Sequence, residues 1–151
     1  MTQSKATIEL MRQALQEAVS TKEKLNSLDD SVSATIKSIE KALTNLKLGF
    51  RISAKQSINE SDSMEYLEFQ KWGNEWRLTH SAVHAIFSEF SEKALSDCNR
   101  DTRARMLREL LPQLVLNVSK SLQDRIAERE QAITTGEEIK ELISNLADIP
   151  F

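Results

Sequence analysis

With only one cysteine, Cys98, in 151 residues, the chain can form no internal disulfide, and its core must be held by packing alone. Glycine and proline are nearly as scarce, at three and two. Gly49, Gly73 and Gly136 stand too far apart to build a phosphate-cradling loop, which argues against P-loop and dinucleotide-binding chemistry; G-x-S-x-G and H-E-x-x-H are absent as well. So few turn formers among so many Ala, Leu, Glu, Lys, Arg and Gln predict long helices joined by few loops.

Long apolar runs are missing too. Stretches such as Leu114-Val115-Leu116 fall far short of the ~20 residues a membrane-spanning helix needs. The opening Met1-Thr-Gln-Ser-Lys5 has no apolar segment that reads as a signal peptide, so a cytoplasmic setting is the expectation. Nor is there a basic surplus: residues 1–46 carry 6 basic against 6 acidic side chains, 47–82 carry 5 against 5, and 83–151 carry 9 against 12, giving the net charge of −3. A protein that binds by neutralising phosphates usually shows such a surplus, so nucleic acid is not the expected partner.

At 40% apolar and 28% charged residues, the composition is that of a folded chain, and 151 residues suit one domain. From Ile8 the apolar residues recur at three-four spacing: Ile8, Met11, Leu15, Ala18, Leu25, Val32, Ile36, Ile39, Leu43 and Leu46. This heptad seam predicts a helix over 5–46. Lys22 and Asp29 interrupt it at a-type positions, where a polar residue costs stability and fixes register or partner number. Ser27 with Asp30 could cap a second helix and fold the rod into a hairpin, but the seam resumes in register, which favours one continuous helix.

The period then becomes twofold. Leu48, Phe50, Ile52 and Ala54 alternate with polar residues as in a half-buried strand, and Gly73-Asn74 suits a type II′ hairpin between two further strands. That turn pairs Phe69 with Leu78 and Lys71 with Trp76, leaving Leu67, Phe69, Trp76 and Leu78 on a core face. Tyr66, Glu68, Gln70, Trp72, Arg77 and Thr79 fall on the other face. Ile86, Phe87, Phe90 and Ala94 then predict a short helix over 84–98. A second long helix follows over 101–147, capped by Asp101 and kinked near Pro112, with a second break conceivable at Thr135-Gly136-Glu137-Glu138. The expected fold is α+β, mainly α. A long antiparallel, coiled-coil-like helical pair carries a three-stranded antiparallel sheet and the short helix at one end.

Candidate chemistry is sparse. His80, His84, Glu89 and Cys98 could be imagined as metal ligands, but His80 on a strand and His84 at a helix start need not share a face, and two ordinary polar histidines are the better reading. Cys98 reads as a small buried residue with no base nearby in sequence. No cofactor is predicted. Arg100, Arg103, Arg105 and Arg108 form the local basic cluster, either a polyanion site or a solvated helix face with i,i+4 pairs. Tyr66, Trp72 and Arg77 are the residue types that dominate binding hot spots and mark a candidate docking patch, unless the chain's own elements cover them. The seam residues Ile8, Met11, Leu15, Lys22, Leu25, Asp29, Val32, Ile36 and Ile39 predict self-association, a dimer above all, with Arg129 placed near the interface of the second helix. The expected function is therefore a non-enzymatic assembly or adaptor module whose sheet binds an unidentified protein. A polyanion-binding regulator using 100–108 is the runner-up, and an enzyme with an unfamiliar site the third reading.

Overall fold

The heptad stripe forms one helix, α1 (Thr2–Asn45), in a computed structural model that describes residues 2–58, 63–84 and 89–147. The helix runs straight through 27–30. The hydroxyls of Ser31 and Thr35 donate to the carbonyls of Ser27 and Ser31, at 3.1 and 2.8 Å, so these polar side chains are satisfied on the helix surface. At 1.5 Å per residue α1 is about 65 Å long. It ends where Lys47 adopts a left-handed conformation with φ 50°, after Leu46 and Lys47 donate back to the carbonyls of Leu43 and Thr44.

Four strands follow among the described residues: β1 (Ile52–Ile58), β2 (Ser63–Trp72), β3 (Glu75–His84) and β4 (Glu89–Ala94). They form an antiparallel sheet in sequence order. Gly73 has φ 68°, as the first position of a II′ turn requires, and the register pairs Phe69 with Leu78 and Lys71 with Trp76. The fourth strand replaces the helix expected over 84–98. Its register sets Phe90 beside Val83 and Ala94 beside Thr79, and exposure alternates from Ser91 to Ala94. The apolar spacing that imitated a helix rests partly on Ile86 and Phe87, which lie outside the described residues.

A 3-10 turn (Leu95–Asp97) leads to α2 (Arg100–Glu109) and α3 (Leu111–Ala147). Asn99, two residues before Asp101, caps α2: its side-chain Oδ1 accepts the Thr102 N–H at 2.8 Å. Asn99→Ala is expected to cost about 1 kcal/mol, read as a lower midpoint in urea unfolding. The helical run breaks at Leu110, two residues before Pro112. A proline there supplies no N–H to the Arg108 carbonyl and its ring crowds that oxygen.

All three helices lie on one face of the sheet. Ile52, Ala54, Leu67, Phe69 and Leu78 share that face by register and form one core with Ile36 and Leu43 of α1, Met106 of α2 and Leu111, Leu114 and Val118 of α3. Glu40 of α1 finishes the sheet where β4 stops short, its Oε2 accepting the Leu78 N–H at 2.9 Å.

The antiparallel helical pair is not formed. Arg100 at the start of α2 reaches Asn26 and Asp29, and Leu107 and Leu111 share an apolar groove with Ile39, so α2 runs alongside α1 in the same direction. Next, α3 continues past Ser53, whose carbonyl accepts from Asn117 at 2.8 Å, to Phe50, whose ring lies 3.6 Å from the Arg125 guanidinium. The cause is an added reversal at 95–99. Ser96 sits beside Arg77 near the level of Glu40, whereas Arg100 lies beside Asp29, and the turn plus two extended residues spans that distance back along α1. The two long helices therefore leave the head from opposite ends, each as a free arm.

Candidate interaction surfaces

Every residue from 4 to 28 is exposed. This segment carries Ile8, Met11, Leu15 and Leu25, exposed at 50, 53, 68 and 48%, together with Ala18 and Lys22. The seam expected to be one continuous interface thus divides into two parts. Asp29, Val32, Ile36 and Ile39 belong to the head: Asp29 pairs with Arg100 at 3.7 Å, Ile36 is buried, and Val32 and Ile39 pack on the core. Beyond the head, Ile8, Met11, Leu15, Lys22 and Leu25 project as an open a/d stripe about 26 Å long. On α3, residues 126–146 are likewise exposed, with Ile126, Ile133, Ile139 and Ile143 among them. Arg129 and Gly136 break that second stripe, so it is the less regular of the two.

The hot-spot residue types do not converge. Tyr66 and Trp72 share the sheet face away from the helices, but six residues of strand separate them by about 20 Å. Tyr66 is half-buried and Trp72 lies exposed at the hairpin tip. Arg77 is held elsewhere, its Nε 3.2 Å from Glu40 and its Nη2 donating to the Ser96 hydroxyl. The open sheet face is largely polar and bonded to itself: Gln70 donates to Thr79 at 2.8 Å and to Glu92 at 2.6 Å, and Arg51 pairs with Glu68.

Comparison with known proteins finds no matching family model, curated protein or solved structure.

The arginine cluster disperses in the same way. Arg100 turns to Asn26 and Asp29, Arg103 donates to the carbonyls of Ser96 and Cys98, Arg105 pairs with Glu65, and Arg108 pairs with Glu109. Helical spacing sends the four to different neighbours.

His80 and His84 both lie on β3, four residues apart on one face; His84 ends the strand where a helix start was expected. His84 Nδ1 stands 3.1 Å from the Ser63 hydroxyl. Cys98 is buried and donates to the Ala94 carbonyl, and burial pushes its thiol up from the ordinary range. Among the described residues, no three His, Cys, Asp or Glu side chains gather as metal ligands would. The side chain of Glu89 falls outside the described part.

One polar constellation escaped the sequence reading. Glu65 is 1% exposed, on the core face beneath α2. Its Oε1 accepts from Arg105 and from Gln56 at 3.0 Å, and its Oε2 lies 2.7 Å from His80 Nε2. Gln56 also donates to Glu109 at 3.1 Å, so the network links β1, β2 and β3 to α2. Burial alone would raise the Glu65 carboxyl, but hydrogen bonds from Arg105, Gln56 and His80 outweigh it and hold the group below its ordinary value of 4.5. The period-two pattern carried the signal: Glu65 precedes Leu67 by two and His80 follows Leu78 by two, which puts both on the core face.

A pH dependence follows from this. A carboxyl whose folded pKa is lowered contributes stability in full above its unfolded pKa, and loses it as pH falls through the folded value. Urea midpoints measured from neutral pH to below 4.5 should therefore fall for the parent chain, and less steeply for Glu65→Gln.

Proposed function

We propose that this chain is a non-enzymatic assembly module, in which the head is a rigid hub and the α1 arm joins it to a second copy. The carrying observation is the complete exposure of residues 4–28 along an a/d stripe that becomes core as soon as it reaches the head. Most helical stability in proteins comes from packing an apolar face, and a long apolar seam in solvent is a surface for another helix.

A second copy of the same arm fits this seam in antiparallel register. Ile8 then faces Leu25 of the second copy, Met11 faces Lys22 and Leu15 faces Ala18, and a twofold axis repeats each layer. A parallel in-register pair would instead set Lys22 on Lys22. In the antiparallel pair the lysine stem lies along Met11 and its ammonium reaches water. The overlap also ends where Asp29 and Arg100 begin the head, so the two heads do not collide. The regularity of this stripe favours it over the α3 stripe, which Arg129 and Gly136 interrupt.

Light scattering on the intact chain over a range of concentrations tests this reading. The expected mass is twice the chain mass of 17.2 kDa, falling toward one copy on dilution. A constant single-copy mass into the ~100 μM range would reject it.

A further inference from the structure

The head holds a cationic cleft that the assembly role does not use. It opens between α1, β3, the 3-10 turn and α2, has a volume of about 440 Å³, and is floored by Ile36. Three cations from three different elements line it: Lys37, Arg77 and Arg103. Arg77 is already engaged by Glu40 and the Ser96 hydroxyl. Arg103 is positioned but not neutralised. Its Nη1 donates to the carbonyls of Ser96 and Cys98, at 3.2 and 3.1 Å, which fixes the guanidinium without cancelling its charge. Among the described residues, neither Arg103 nor Lys37 makes an ion pair. Asp97 stands exposed on the lining, so three cations against Asp97 and Glu40 leave one positive charge in excess.

A guanidinium with no carboxylate partner, beside a lysine that also has none among the described residues, attracts an anionic oxygen. Ser33 and Ser96 add hydroxyls to the same lining. We propose that the cleft between Lys37, Arg77 and Arg103 binds a small phosphoryl anion, either inorganic phosphate or the phosphate monoester of a small molecule. Donors here come from α1, the 3-10 turn and α2, which suits the several oxygens of a tetrahedral phosphate better than the two of a planar carboxylate. The size of the cleft leaves room for a short organic group beyond the phosphate. Lys37 approaches as a mobile point charge, while Arg103 is fixed by the carbonyls it holds.

Calorimetry and amide NMR on the intact chain, at constant ionic strength, test this with inorganic phosphate and with glycerol phosphate, using chloride as the control anion. Saturable binding is expected, with shifts confined to residues around 33–37 and 96–103. Arg103→Gln should weaken it by about tenfold or more, and Lys37→Gln by severalfold. Lys37 is exposed and makes no ion pair among the described residues, so its variant keeps the fold even if Arg103→Gln loosens the 95–99 segment. Tighter binding of glycerol phosphate identifies a monoester as the ligand, and equal binding identifies the phosphoryl group alone. The proposal is overturned by no saturable binding up to about 10 mM of either probe, or by undiminished binding in Lys37→Gln and a folded Arg103→Gln.

Discussion

Glu65→Ala is expected to destabilise the head by about 3 kcal/mol, a loss near the top of the range for single substitutions. The carboxylate is nearly fully buried and is the shared acceptor of Arg105, Gln56 and His80. Removing it does not return all of those donors to bulk water. Gln56 keeps Glu109, and Arg105 is about one-third exposed and can turn outward, but His80 is 14% exposed and loses the only acceptor it has in this network. The cost is that of the His80 donor left without its acceptor and of the lost tie between α2 and the sheet, larger than the net worth of the bonds while they are made. Because Arg105 ties α2 to the sheet, the variant should also unfold with early loss of α2. Urea unfolding followed by fluorescence of Trp76, which packs on the core and lies 5.6 Å from the Phe69 ring, provides the measurement.

The second large effect falls on association and spares the fold. Leu15 is 68% exposed in the single chain, so Leu15→Lys removes no contact from the head and should leave its unfolding midpoint unchanged. In a twofold dimer the same substitution acts twice, placing a lysine against Ala18 in each copy. Burial of a leucine contributes about 1.5–3 kcal/mol, and losing it at two symmetric positions corresponds to a weakening of about 100-fold or more. Ile36→Lys should behave in the opposite way. Ile36 is 2% exposed in the core, so a charge there unfolds the head before any effect on assembly can be read. The contrast between two positions of one heptad stripe separates an interface from a core.

Much of the architecture was legible because its signals were local. The a/d spacing from Ile8 to Leu46 carried α1 through 27–30, and Gly73-Asn74 fixed both the turn and the register around it. What could not be read was chain direction. That depends on 95–99, where the 3-10 turn and the extended Cys98 and Asn99 carry the chain back along α1 and turn an expected antiparallel pair into two helices with a common direction. The fourth strand was hidden for a related reason. Apolar residues three and four apart satisfy a helical pattern, whereas the polar alternation of Ser91 and Lys93 carries meaning only beside the open edge of β3.

The sites show the same division. Residues on the arms could be named from spacing, because an open seam is a property of one helix. Charged residues could not be assigned from proximity in sequence. Arg103 and Arg105, two apart, point to unrelated places: one lines the cleft with Lys37 and Arg77, the other reaches Glu65 under α2. Their partners lie on elements up to 66 residues away, and only the sheet register and the path of α2 bring them together.

Amide hydrogen exchange across residues 4–28 at two protein concentrations is the most direct measurement of what the arm does. If the arm pairs with a second copy, its amides gain protection as concentration rises while those of β2 and β3 stay as they were. Equal and rapid exchange of the arm at both concentrations would contradict the account.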